Sequence, residues 1–146
     1  MPYYGRIALY FDGASRHNPK GPAGCGWVLY SMDHNGKDEF QIDYGSRYLG
    51  LNKSNNQAEY QGLIDALEFM YDSDIECAKL YIRGDAEVVL CQMDGVYQVR
   101  SKNIMEYYHK AADLLKSVDC GSYCYSHISR DKNWEADRLA NEAIDE

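Results

Sequence analysis

The sequence lacks paired cysteines and long apolar runs. No two of its five cysteines are separated by only two residues, and an odd number does not suit a disulfide framework. No stretch is apolar enough to span a bilayer, and no apolar run near the first residue resembles a signal peptide. These absences argue against a disulfide scaffold, a cysteine-based zinc site and a membrane protein. We therefore expect reduced cysteines and a cytoplasmic protein that contacts no membrane.

Repeats, low-complexity tracts and linkers are also absent. The 146 residues match one ordinary domain, and a hydrophobic content of 45% is enough to form a core. Basic residues are few, because 15 lysines and arginines face 23 aspartates and glutamates, which leaves a net charge of −8. That charge disfavours a nucleic-acid partner unless bound cations cancel part of it locally. We predict a single domain over residues 1–146, a monomer with no obligate protein partner.

Two kinds of hydrophobic periodicity divide the chain. Period-two alternation and short apolar runs predict strands over residues 7–11, 25–31, 40–44, 79–83 and 123–128. Helical spacing predicts helices over residues 60–71, 86–93, 104–115 and 136–143. Three strands followed by alternating helices and strands indicate an α/β fold with a mixed sheet covered by helices. Asn56, with Glu59 three residues later, fits a cap for the first helix, and Asn133 fits a cap for the last.

Four acidic residues are the most informative feature: Asp12, Glu59, Asp85 and Asp137. Asp12 and Asp85 end predicted strands, whereas Glu59 and Asp137 lie near predicted helix starts. Four carboxylates that meet in one cleft repel one another unless cations join them. A pair of Mg²⁺ ions, which prefer oxygen ligands, would neutralise them, and paired metals are one way in which proteins cleave phosphodiesters.

Each of these acids also has a purely structural explanation. Asp12 could end a strand as a turn former, and Glu59 could belong only to a capping box. Asp85 could cap a helix, and Asp137 could be a first-turn acid favoured by the helix dipole. The four together, in this order within this pattern of elements, favour a metal site over four separate structural roles.

At these residues the chain resembles the type 1 ribonuclease H family, from about residue 7 to residue 144. The compact archaeal-like branch, without a basic protrusion, is the most similar, on the segments GDAEVV at 84–89, QMDGVY at 92–97 and EADRLA at 135–140. The resemblance implies a ribonuclease H-like fold, with a five-stranded mixed sheet and helices on both faces. It implies Mg²⁺-dependent endonucleolytic cleavage of the RNA strand of an RNA–DNA hybrid, leaving 5′-phosphate and 3′-hydroxyl ends, with Mn²⁺ as a possible substitute.

The resemblance also implies roles for individual residues. Asp12 matches the acid that bridges two metals, Glu59 and Asp85 match the ligands of the metal that activates water, and Asp137 matches the ligand of the other metal. A reader of the RNA 2′-hydroxyl is expected after the first acid and before the helical glutamate, because both segments line the minor groove in the family. The residues at those places are Gly13, Ala14, Asn18, Asn55 and Asn56. The two asparagines before Glu59 could equally be helix caps only.

Three departures from the family pattern stand out. The segment 129–133, before the last helix, has no histidine where many relatives carry one, and His127 falls within the preceding strand pattern. Arg130 could hold phosphate there, or could be a solvated surface charge. Glu87 stands where relatives often have a glutamine, and the lysine-rich protrusion is missing. Two other functions therefore stay open: a nuclease for other substrates, such as double-stranded RNA, and a non-catalytic nucleic-acid-binding module.

Overall fold

The computed structural model describes residues 2–145 and contains one sheet with helices on both of its faces. Its strands are β1 (Tyr3–Ser15), β2 (Pro22–Met32), β3 (Asp38–Leu51), β4 (Glu76–Gly84) and β5 (Asp119–His127). Its helices are α1 (Asn55–Asp72), α2 (Glu87–Met93), α3 (Lys102–Ser117) and α4 (Trp134–Asp145), with a short 3₁₀ helix over Arg130–Asn133. Every predicted strand and helix is present, and all five strands are longer than predicted.

The strand order across the sheet is β3-β2-β1-β4-β5. The first three strands form an antiparallel meander, and β4 and β5 then add to β1 in parallel. This is the five-stranded mixed sheet that the resemblance implied. Strand β1 lies at its centre, so the residues that follow β1 and β4 emerge at the same edge of the sheet.

The main core lies between the sheet and helices α1 and α3. From β1 the side chains of Ile7, Leu9 and Phe11 are fully buried, and they meet Leu80 and Ile82 on the paired strand β4. Helix α1 presents a fully apolar stripe to them, made of Leu63, Ile64, Leu67 and Met70. Helix α4 covers the opposite face of β1, β2 and β3. Both long helices that carry predicted acids are therefore held against the sheet by burial of apolar surface.

The caps of two helices differ from the sequence prediction. Helix α1 begins with a capping box in which the Ser54 hydroxyl accepts from the Gln57 amide and the Gln57 side chain accepts from the Ser54 amide. Asn56 and Glu59 do not form that box, because Ser54, two residues before Asn56, is the cap and its hydroxyl satisfies one of the first free amides. Asn133 does not cap α4 either, because its side chain turns into the protein and a 3₁₀ turn leads into the helix.

All five cysteines are free thiols. Within residues 2–145, no helix is both long enough and apolar enough to cross a membrane.

Candidate active site

Three of the four predicted acids meet at the edge of the sheet. Asp12 near the end of β1, Glu59 in α1 and Asp85 just after β4 each present an oxygen, and these oxygens all lie within 4.8 Å of one another. Asp137, in the first turn of α4, lines the same cleft, which has a volume of about 470 Å³. The structure thus brings together four carboxylates that are far apart in the sequence.

Small residues let the helices approach the strand ends closely. A methyl group on Gly13 would lie 2.2 Å from the carbonyl carbon of Ala58, so only glycine allows α1 to place Glu59 beside Asp12. Gly26, the cross-strand partner of Asp12, plays the same part for α4, because a methyl group there would lie 2.6 Å from the Cβ atom of Leu139. Glycines on β1 and β2 therefore fix the distance between the sheet and the two helices that carry acids.

Burial raises the pKa of both inner carboxyls. Asp12 is 4% exposed and Glu59 is 8% exposed. Loss of solvation raises the pKa of Asp12 to about 7, and the nearby charge of Asp85 adds to the effect. Loss of solvation also raises the pKa of Glu59 well above its usual range, followed by repulsion from Asp12. The Oε2 atom of Glu59 is buried and has no hydrogen-bond partner among the described residues. A divalent cation fits this donor set, because it would neutralise the negative charges and would be coordinated by that oxygen.

Two asparagines orient the outer carboxyls. Asn133 is 1% exposed, and its amide nitrogen donates to the carbonyl oxygen of Phe11 at 2.9 Å and to Oδ1 of Asp85 at 3.4 Å. Asn141 donates to the carbonyl oxygen of Asp137 at 2.9 Å and to its Oδ1 at 3.2 Å. Asn133 therefore ties the ends of β1 and β4 to the start of α4, a role that its place in the sequence did not reveal.

Comparison with known proteins decides the family. The family model described as "Reverse transcriptase-like" matches residues 10–143. Ribonuclease HI of Halobacterium salinarum is 40% identical over 142 residues, which cover 97% of this chain. The crystal structure of RNase H1 from the same archaeon superimposes with a TM-score of 0.82 at 38% identity and covers 97% of this chain and 98% of that chain. The chain belongs to the type 1 ribonuclease H family.

A second ribonuclease H structure bears on the substrate. LC11-RNase H1, solved in complex with an RNA/DNA hybrid, has a TM-score of 0.81 and 38% identity, and the alignment covers 95% of this chain and 96% of that chain. Some relatives are longer proteins. The chain spans 66% of the length of the Halobacterium ribonuclease HI, and 36% of the length of bifunctional protein Rv2228c from Mycobacterium tuberculosis, to which it is 31% identical.

The predicted substrate-side residues have mixed placements around this ribonuclease H cleft. Gly13, Ala14, Asn55, Asn56 and Arg130 all line the cleft with the acids. Asn18 is not among the residues that line the cleft. Its side-chain oxygen instead accepts from the backbone amide of Asn55 at 3.0 Å. The side-chain oxygen of Asn55 in turn accepts from the amide that follows Ala14, at 3.0 Å. These bonds hold the turn after β1 to the start of α1.

Two basic residues lie near the cleft at the histidine-free segment: Arg130 within it and His127 two residues before it. Arg130 is 81% exposed in its side chain and lies 3.9 Å from Oδ1 of Asp137. The Nε2 atom of His127 lies 3.2 Å from the carbonyl oxygen of Asp85, so the last residue of β5 reaches the rim of the site. Glu87 is exposed, and the Tyr97 hydroxyl donates to it at 3.3 Å.

A groove on the other side of α1, which we call the lysine groove, was missed by the sequence analysis. It has a volume of about 350 Å³, and three lysines contribute to it: Lys53, Lys102 and Lys110. Gln57, Gln61 and Asn103 add amide groups to the same groove. These residues come from the loop before α1, from α1 and from α3, so no local motif marks them. Glu106 also lines the groove, and the Nζ atom of Lys110 lies 3.3 Å from Oε1 of Glu68, so these three lysines and two glutamates leave a single net positive charge there.

Proposed function

We propose that the protein is a metal-dependent endoribonuclease that hydrolyses the RNA strand of RNA–DNA hybrids and leaves 5′-phosphate and 3′-hydroxyl ends. The observation that carries the proposal is the cluster of four carboxylates, in which a buried oxygen of Glu59 has no hydrogen-bond partner within residues 2–145. The hybrid bound to the 38% identical LC11-RNase H1 supports the choice of substrate.

Two Mg²⁺ ions, or Mn²⁺ in their place, fit this cluster. Asp12 would contact both ions, Glu59 and Asp85 would hold one of them, and Asp137 would hold the other. Such ions supply neutralisation of the carboxylates and stabilisation of the negative charge that develops on the phosphate. Both metals accept the same oxygen ligands, so the choice between them depends on availability and on cleft flexibility.

The protein's own groups orient the ligands and the substrate. Asn133 fixes the rotamer of Asp85 and Asn141 that of Asp137, so neither carboxylate has to be ordered when substrate arrives. The amide of Asn56 and the backbone of Gly13 lie in the cleft, where they can donate to or accept from a 2′-hydroxyl. Arg130 lies at the exposed rim, where its guanidinium can bind a phosphate.

The lysine groove is suited to the backbone of the second strand. Because α1 separates this groove from the carboxylates, a duplex lying across the start of α1 would touch both surfaces. Lys53 and Lys102 would neutralise phosphates of the DNA strand while the RNA strand enters the acidic cleft. Lys53 and Lys102 would thus supply positive charge locally in a chain whose net charge is −8.

Cleavage of strand-labelled substrates tests the proposal directly. The hybrid, double-stranded RNA and double-stranded DNA are each incubated with Mg²⁺, with Mn²⁺ and with EDTA. We expect metal-dependent cutting confined to the RNA strand of the hybrid. Cutting of double-stranded RNA at a similar rate would establish the broader nuclease instead, and tight binding without cutting under either metal would establish a binding module.

The variant Asp85→Asn tests the site itself. It should lose metal-dependent cleavage by at least about a thousandfold while keeping its circular dichroism spectrum, because a metal ligand is replaced by an isosteric neutral group. Asp113→Asn, which removes one exposed carboxylate from α3, is the matched control and should cut at the wild-type rate. Wild-type activity in Asp85→Asn would refute the assignment. Monomeric state and cytoplasmic location stay predictions, to be checked by light scattering and by cell fractionation.

A further inference from the structure

One face of the sheet is covered over only part of its width. Helix α4 packs on β1, β2 and β3, and it makes at most marginal contact with β4 and β5. On β4 the side chains of Leu80 and Ile82 point to the α1 side and are buried, so the alternating residues Lys79, Tyr81 and Arg83 point to the opposite side. Those three side chains are partly exposed on the uncovered part of the sheet.

Cross-strand neighbours extend this row into a surface. Lys79 pairs with Arg6 of β1, and Arg83 pairs with Tyr10. We call the set Arg6, Tyr10, Lys79, Tyr81 and Arg83 the basic tyrosine face. Its cations lie over its rings: the Nζ atom of Lys79 is 5.1 Å from the centre of the Tyr81 ring, and the guanidinium carbon of Arg83 is 5.6 Å from the same centre. Lysine, tyrosine and arginine thus alternate along one strand, about 7 Å apart.

The charge of this face opposes that of the whole chain. The neighbouring Asp38 accepts from the Tyr10 hydroxyl at 2.6 Å and lies 3.8 Å from the Arg83 guanidinium, so it is already engaged. Arg6 and Lys79 take part in no ion pair within residues 2–145. A protein of net charge −8 therefore carries a local excess of positive charge here, remote from the lysine groove beside α3.

The face leads to the acidic cleft. Tyr10 lies two residues before Asp12 on β1, and Arg83 lies two residues before Asp85, which follows the end of β4. Tyr10 also lines a cavity of about 210 Å³ together with Asp38, Lys132, Trp134 and Glu135, and Trp134 is 61% exposed. The Glu135 carboxylate accepts from the Tyr30 hydroxyl at 2.6 Å, so aromatic and cationic side chains lead from β1 to the start of α4 beside two acids that are already hydrogen-bonded.

We propose that the basic tyrosine face binds single-stranded nucleic acid, and that this strand is an unpaired segment contiguous with a duplex in the cleft. Bases would stack on Tyr81, and phosphates would contact Arg6 and Lys79. Alternation of rings with cations favours a nucleic acid over an acidic peptide, because a peptide has no bases to stack on the rings. This site is separate from the hybrid site and goes beyond the proposed nuclease activity.

Binding of labelled single-stranded RNA and DNA oligonucleotides, followed by fluorescence anisotropy in EDTA, tests the proposal without cleavage. Tyr81→Leu, which keeps an apolar side chain in the half-buried position, should weaken binding by about tenfold. Lys79→Ala should weaken it severalfold and should reduce the slope of log affinity against log salt by about 0.7. Matched controls are Tyr71→Leu and Lys116→Ala, which alter exposed residues of α1 and α3 away from this face and should bind like the wild type.

Cleavage assays separate this proposal from the nuclease function. Lys79→Ala should cut a blunt hybrid at the wild-type rate and should show a higher KM for a hybrid with a single-stranded tail. Equal affinity of the face variants and their controls for single strands would overturn the proposal. So would a wild type that binds no single strand but self-associates with increasing concentration, because a second copy would then occupy the face. Single-strand binding lost in the face variants, with no cleavage of any hybrid, would support this site and refute the nuclease function alone.

Discussion

Replacement of Asp12 by asparagine should stabilise the metal-free protein, although it should destroy the proposed activity. Asp12 is 4% exposed, and its pKa is raised from 3.8 to about 7, mainly by lost solvation. Each pKa unit corresponds to about 1.4 kcal/mol, so at pH 8 the ionised carboxylate lowers the free energy of unfolding by about 4 kcal/mol. Asparagine has the same shape and carries no charge, and it can still accept from the amide of Gly13.

The stabilisation by Asp12→Asn should increase with pH. Between pH 3.8 and about 7 the folded wild type binds a proton that the unfolded chain has released, so wild-type stability rises as the pH falls through this range. The advantage of Asp12→Asn should therefore be largest at pH 8 and should vanish below about pH 4. For a domain of this size, about 4 kcal/mol corresponds to a rise in melting temperature of about 10 °C.

Thermal and urea unfolding in EDTA, at a series of pH values, measure the effect. Asp113→Asn removes an exposed carboxylate from α3 and controls for the change in net charge. Addition of Mg²⁺ should stabilise the wild type more than Asp12→Asn, because the ion binds the folded site. If Asp12→Asn is no more stable than Asp113→Asn at pH 8, or if its advantage does not depend on pH, then the buried Asp12 carboxylate does not destabilise the metal-free protein and the reasoning is refuted.

Two further substitutions test the framework of the site. Asn133→Ala leaves the Phe11 carbonyl without its donor and should cost about 1–3 kcal/mol in the free energy of unfolding. It should also lower kcat for the hybrid far more than it raises KM, because Asp85 loses its orienting bond; a change in KM alone would contradict this role. Ser54→Ala should cost about 1 kcal/mol by urea unfolding, whereas Ser101→Ala, at a helix start with no side-chain cap bond, should cost little, and equal losses would refute the assigned cap.

The order of strands and helices and the four acids could be predicted from the sequence, because both depend on local signals. Hydrophobic periodicity predicted the five strands and four α-helices found in residues 2–145, but not the 3₁₀ helix over Arg130–Asn133, and the four acids kept their order relative to those elements. Strand lengths were underestimated, most of all for β3 (Asp38–Leu51), whose exposed edge residues show no sustained alternation of apolar and polar side chains. The cap of α1 was misplaced because Asn56 with Glu59 and Ser54 with Gln57 have the same spacing, and only the backbone shows which pair closes.

What escaped the sequence analysis depends on contacts between distant segments. Asn133 looked like a helix cap, since nothing near it reveals that it reaches the carbonyl of Phe11, 122 residues away. The lysine groove and the basic tyrosine face combine residues from separate elements, and each lysine alone resembles an ordinary surface charge. The roles of Asn18, Asn55, Asn56 and Arg130 toward substrate stay predictions, although the structure assigns Asn18 and Asn55 a part in holding a turn.

The central place of β1 in the strand order has a consequence for how the protein folds. Strands β1, β2 and β3 can pair as successive hairpins, whereas β1 meets β4 only after about seventy intervening residues are brought round, which is a slow, non-local step. That same step brings Asp12 and Asp85 together, so their repulsion is absent from the early hairpins and arises as the sheet is completed. We therefore expect Mg²⁺ to slow unfolding and to leave the early steps of folding unchanged. Bound Mg²⁺ would then increase the kinetic stability of the completed sheet.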